Sequence, residues 1–178
     1  KFLKRSLDEY LTSRTFERKR ENALMYNDGQ SYIRYQKGSL IFYALSDYLG
    51  EKTLNKALSK YIEKVAFQEP PYTTSIDMVN HIKEVTPDSL NYLIKDMFET
   101  ITLYQNRVVE TKSEKLDNGK YKVDIEFKVS KYRNNEKGRA FYGNEERDSI
   151  SYKTQEMKKP EYSVYLSDYI DIGIFGED

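Results

Sequence analysis

The apolar positions of this chain keep a period of 3.6 up to about residue 102 and a period of 2 beyond it. The strongest helical pattern is residues 31–50, SYIRYQKGSLIFYALSDYLG. Ile33, Leu40, Ile41, Ala44, Leu45, Tyr48 and Leu49 recur there at three- and four-residue spacing. Phe42 and Tyr43 widen the stripe, which predicts a helix buried on most sides. Asp28-Gly29 is a turn signal in front of it, Ser31 is the expected N-cap and Gly50 the expected stop. The first turns break the pattern. Gly38 costs roughly 1 kcal/mol relative to alanine inside a helix, and Lys37 stands in line with the apolar stripe. Those two residues answer to something other than helix stability.

Four further helices are expected around this one. Leu3, Leu7, Tyr10 and Leu11 mark one face of an amphipathic helix already running at the first residue. Residues 15–29 lack periodicity and read as an irregular connection. Leu54, Ala57, Leu58, Tyr61, Ile62 and Val65 give a clean face from Glu51 onward, with Glu51 placing negative charge at the helix's positive end. Glu69-Pro70-Pro71-Tyr72 interrupts. Thr74 or Ser75 then caps a helix with Ile76, Val79 and Ile82 inward. Thr86-Pro87 separates it from a last helix carrying Leu90, Leu93, Ile94, Met97, Phe98 and Ile101.

After that the alternation is strand-like. Tyr121, Val123, Ile125, Phe127 and Val129 interleave with Lys122, Asp124, Glu126, Lys128 and Ser130. Asn118-Gly119 is a hairpin signal that pairs this strand with residues 107–115. Further strands are expected over residues 139–142, 149–154, 162–166 and 169–175. The fold class is therefore α+β: an N-terminal antiparallel stack of about five helices, then an antiparallel β-sheet or partial β-sandwich. The expected division is a helical part over residues 1–104 and a β-domain, judged incomplete, over residues 105–178.

Composition narrows the functional classes. At 178 residues the chain can bury a real core. Lys plus Arg equals Asp plus Glu, 29 of each, so no global field draws in nucleic acid or an anionic membrane. The basic cluster from Arg14 to Arg20 is broken by Glu17, is followed by Glu21, and reads as a solvated face. There is no cysteine, hence no disulfide and no thiolate chemistry. No apolar run approaches the roughly 18 residues of a membrane span, and no signal peptide is visible. Because the chain opens inside a helix, it reads as a piece of something longer.

Candidate chemistry is sparse. His81 is the single histidine, with neither a His-Glu-x-x-His nor its inverse around it, and reads as a surface residue. No phosphate loop, nucleotide fingerprint or Gly-x-Ser-x-Gly elbow is present. Most of the 17 tyrosines are expected simply to pack. Tyr35 is the exception. Tyr35-Gln36-Lys37-Gly38 opening a helix that closes on Leu49-Gly50-Glu51 resembles zinc metallopeptidases of the aminopeptidase N (gluzincin) family. There a Tyr-x-Lys-Gly segment opens a helix downstream of the zinc site. The resemblance runs from about Leu7-Asp8-Glu9-Tyr10-Leu11 through Asn106 and takes in the proline turn and Thr74, Ser75 and Asp77. The runs LYQNRVVE and DYIDIGIF look like a bacterial subgroup whose peptidase region can follow an ABC-transporter permease.

That resemblance implies a hydrolase in which two histidines and a glutamate hold zinc, the metal activates water and a glutamate acts as general base. The tyrosine hydroxyl donates to the oxyanion of the tetrahedral intermediate. Of this apparatus Tyr35 alone carries over as a catalytic residue. The zinc ligands, the base and the amine-recognition region lie upstream in the family, so zinc is expected in the parent and none in this fragment. The fragment by itself is expected to be inactive and soluble. Its parent would take a peptide substrate, bind no nucleic acid, and in the permease-fused forms be membrane-associated. Lys37 and Gly38 are given structural roles, Gly38 a close-packing one. The rival reading is a non-catalytic interaction module on a peptidase-like scaffold, binding a partner around Pro70-Pro71-Tyr72 or at a sheet edge. Apolar surface exposed where an upstream half would dock is expected to promote self-association.

Overall fold

The computed structural model describes residues 2–18, 20–135, 140–141, 168–170 and 172–174. It divides into two units, one comprising the described residues of 1–102 and 134–140, the other those of 103–133 and 141–178. Five α-helices precede an antiparallel sheet, an α+β arrangement with its helices in the N-terminal part.

The first unit begins with α1 (Phe2–Thr15), followed by an irregular segment containing a single 3-10 turn, Leu24–Tyr26. A π-helical turn, Tyr32–Lys37, runs directly into α2 (Gly38–Leu49). Ser31 does not cap it: its backbone is already helical (φ −61°, ψ −40°) and its side chain makes no capping bond. One residue, Gly50 at φ 79° and ψ 139°, separates α2 from α3 (Glu51–Val65). Such a short corner requires a backbone that only glycine adopts readily.

Helix α4 (Ser75–Val85) starts on a capping box, with the Thr74 N–H donating to Asp77 Oδ2 at 2.8 Å. The Ser75 hydroxyl donates to the Met25 carbonyl at 2.6 Å and ties this end to the 3-10 turn. The last helical stretch changes pitch twice: a 3-10 turn Asp88–Leu90, α5 (Asn91–Ile94), then a π-helical turn Lys95–Glu99. Pro87 directly precedes the 3-10 turn. Ile101, assigned by its spacing to this helix, is the first residue of a strand. Ile101 is buried as that spacing requires, although it belongs to the strand.

The core of this unit is Met25, Ile41, Leu45, Leu54, Val79, Ile82, Ile94 and Phe98, with Phe42 set edge-on to Phe98 at 6.1 Å. Burying each such side chain contributes on the order of 1.5–3 kcal/mol before chain entropy is counted. The helical stripes are narrower than their apolar content suggests. Tyr43 is exposed on α2, and Ile62 is 59% exposed on α3. On α1 the packed face is Ser6 and Tyr10, with Leu3, Ser13 and Arg14 half-buried, while Leu7 and Leu11 are exposed. The polar groups of Tyr10 and Arg14 have a buried partner, and that partner turns the helix toward them.

Most of β1 (Ile101–Lys115) and β2 (Tyr121–Asn134) belongs to the second unit; the two strands form a long hairpin, with β3 (Ala140–Phe141) beside β2. Gly119 takes φ 78° at the turn, and Leu116 N–H donates to the Lys120 carbonyl at 2.7 Å. Val123, Ile125, Phe127 and Val129 lie on one face as the alternation requires, half-buried rather than buried. Lys131 is the buried position on β2; its ammonium donates to Asp168 Oδ2 at 3.1 Å, and Tyr104 donates to Oδ1 of the same carboxylate at 3.1 Å. Among the described residues there is one sheet. The strands expected over residues 149–154 and 162–166 lie outside the described residues. Of the strand expected over residues 169–175, the described residues form none.

Candidate functional site

The turn that carries Tyr35 is built on a buried polar cluster. Glu21, from the irregular segment, is 3% exposed and sits at its centre. The Tyr10 hydroxyl donates to Glu21 Oε1 at 2.5 Å, Arg14 Nε donates to Oε2, and Lys37 Nζ lies 3.6 Å from Oε1. Tyr10 stacks on Tyr32 with ring centroids 6.1 Å apart, and Lys37 Nζ lies 5.5 Å from the Tyr10 ring centroid. Around this centre, Tyr32 donates to Glu17 at 3.2 Å, and Gln36 donates to Glu9 at 3.1 Å. Gln30 Nε2 donates both to Glu17 at 2.6 Å and to the Arg20 carbonyl at 2.7 Å.

The stretch from Arg14 to Glu21 is thus not a solvated charge face throughout. Its acids point inward, where they anchor an otherwise irregular segment to α1 and to the start of α2. Lys37 was the sign of this in the sequence: a cation aligned with an apolar stripe needs a buried counter-charge, and Glu21 supplies it.

The electrostatics follow from burial. Desolvation holds the Lys37 ammonium below the ordinary lysine range, opposed by Glu21. The Tyr10 and Tyr32 phenols are pushed well above the ordinary tyrosine range, first by desolvation and then by Glu21.

Tyr35 stands on the opposite side of the same turn. It is 62% exposed, Arg34 lies 5.0 Å from its ring centroid, and none of the described residues hydrogen-bonds its hydroxyl. The first helical bond of this segment, Arg34 N–H to the Gln30 carbonyl at 3.1 Å, places Tyr35 within the first turn. There the helix field favours developing negative charge. Gly38 does not have the packing role expected of it. An added Cβ would meet the Ile33 carbonyl oxygen at 3.6 Å and Leu24 Cδ1 at 3.8 Å, which are ordinary contacts.

His81 lies half-buried on α4, its Nδ1 donating to the Asp77 carbonyl at 2.7 Å and its ring edge-on to Tyr61 at 5.5 Å. Among the described residues no group of three or more His, Asp or Glu side chains could hold a metal ion, and no helix is long and apolar enough to cross a membrane. The loop after α3 carries Phe67, fully exposed at a left-handed φ of 60°, and exposed Pro70, Pro71 and Tyr72. No family model, curated protein or solved structure matches this chain.

Proposed function

We propose that this chain is the C-terminal helical part of a zinc metallopeptidase catalytic domain of the aminopeptidase N type, followed by the start of a β-domain. In the intact enzyme the zinc ligands and general base would come from upstream sequence, and bound zinc would supply an activated water. Tyr35 donates its phenolic hydrogen to the oxyanion as the tetrahedral intermediate forms. The observation that carries this reading is the pairing of the Tyr35-Gln36-Lys37-Gly38 segment with an exposed Tyr35 hydroxyl at the first turn of a helix. A donor poised there is unencumbered in the ground state and engages charge as it develops.

The test is Tyr35→Phe in the full-length parent. Turnover is expected to fall about 10²–10³-fold, the scale for one oxyanion donor, with an unchanged thermal midpoint. A phenylalanine variant that keeps full turnover removes Tyr35 from the mechanism.

A second reading is favoured by one observation, the loop around Phe67. A phenylalanine that is fully exposed at positive φ is an outlier for a bulky side chain. On this reading the loop presents Phe67 and Tyr72 to a protein partner on a scaffold without catalysis. An intact His-Glu-x-x-His upstream of Lys1 in the parent decides for the enzyme, and a degraded one for the module.

A further inference from the structure

The buried ammonium of Lys37 is poorly explained by stability. The residue is 6% exposed, and the nearest carboxylate oxygen, at 3.6 Å, is just beyond hydrogen-bonding range. Glu21 already receives the Arg14 guanidinium on its other oxygen, so Lys37 does not have this carboxylate to itself. Burying a charge on such terms is costly, and a methionine would fill the same space with nothing to desolvate.

Geometry gives Lys37 a different task. Ile33, Lys37, Ile41 and Leu45 follow one another at four-residue intervals, and all are buried. In an α-helix of 3.6 residues per turn, each four-residue step overshoots a full turn by about 40°. A row of this kind therefore drifts around the helix. The wider π-helical turn Tyr32–Lys37 takes up the drift at its start, bringing Ile33 and Lys37 into line with the core face of α2. A turn of this pitch persists only where surrounding contacts hold it, and the ammonium at its last residue lies 3.6 Å from the Glu21 carboxylate. Were Lys37 to let go, the turn would tighten to α-helical pitch. Every side chain before it would then rotate relative to α2, Tyr35 included.

We infer that Lys37 is a positioning residue: its buried ion pair with Glu21 holds the π-helical turn open and so sets the direction in which Tyr35 is presented. The functional meaning rests on the reading of Tyr35 as an oxyanion donor, whereas the positional claim is tested without it.

The chain is labelled with fluorotyrosine, and the Tyr35 fluorine signal is assigned by its loss in Tyr35→Phe. Lys37→Met, Lys37→Arg and Glu21→Gln are then compared by that signal, by amide exchange over residues 32–38 and by thermal midpoint. Lys37→Met is expected to keep or raise the midpoint, to shift the Tyr35 signal and to lower local amide protection, with α3 and α4 amides unchanged. Lys37→Arg, which keeps the charge, is expected to return the signal toward its original position. Glu21→Gln leaves Arg14 and Lys37 without a carboxylate between them and is expected to lower the midpoint.

A Lys37→Met protein that leaves the Tyr35 signal and the local amides unmoved overturns the inference. So does one that unfolds or loses protection uniformly, since Lys37 is then merely structural. In the intact enzyme Lys37→Met is expected to lower kcat with little change in KM. If Tyr35→Phe leaves turnover intact while the fluorine shift is seen, the oxyanion role fails and the positioning claim stands.

Discussion

Two glycines on either side of α2 do opposite work, and their substitutions should move stability in opposite directions. Gly38 has ordinary helical angles and room for a Cβ. Gly38→Ala should therefore stabilise the chain by about 0.4–1 kcal/mol, mainly by restricting the unfolded state. Gly50 also has room for a Cβ, but its φ of 79° strains any L side chain. Gly50→Ala should cost about 1–3 kcal/mol. Denaturant melts of both variants check the pair, and a destabilising Gly38→Ala would mean that its backbone freedom is used in some other state. Both glycines stand out in the sequence, but only Gly50's reason is legible there, since a glycine at a helix stop has a conformational cause. Gly38 looked like a packing requirement and is not one. Lys37 showed the reverse: its odd place on an apolar stripe was visible, and its partner was not, because Glu21 lies in a segment without periodicity.

Among the elements, α4 is the most directly specified, because its start rests on contacts between residues three apart. The backbone N–H of Thr74, then its hydroxyl, bonds to the Asp77 carboxylate and holds it below the ordinary carboxylate range. A group whose folded-state pKa is depressed contributes stability above its unfolded value, about 3.9 for aspartate. That contribution is lost as pH falls through the lower folded value. The first turn of α4 should accordingly fray in acid, seen as faster amide exchange at Asp77 and Met78 than intrinsic rates account for. In Asp77→Ala that acid dependence should vanish, and its persistence would place its source elsewhere. The hairpin was equally open to reading, with Asn118-Gly119 at its turn and β2 alternating as expected from Val123 to Val129, though Tyr121, expected on the same face, is exposed. The face of α1 was not. Leu7 and Leu11 outrank Ser6 in hydrophobicity, yet Ser6 is buried, because the partners of Tyr10 and Arg14 come from residues more distant in sequence.

Across the molecule, each unit contains a buried lysine whose carboxylate partner is distant in the chain: Glu21 for Lys37 in the first, Asp168 for Lys131 in the second. Removing the carboxylate of such a pair typically costs about 3–5 kcal/mol, because the ammonium stays buried in a poor environment. Asp168→Ala should therefore loosen the second unit, lowering amide protection in β1 and β2. Unaltered protection there would mean that the pair adds nothing to the sheet. The sequence by itself determined the helix-then-strand order, the approximate position of the change near residue 102, and the turns, since these depend on periodicity and on backbone conformations local to a few residues. Tertiary structure alone decided which side of α1 is buried, where Glu21 and Asp168 go, and the π-helical pitch beneath Tyr35. Those outcomes depend on charges meeting across long sequence separations, and a buried charge accepts whichever partner the fold brings within reach.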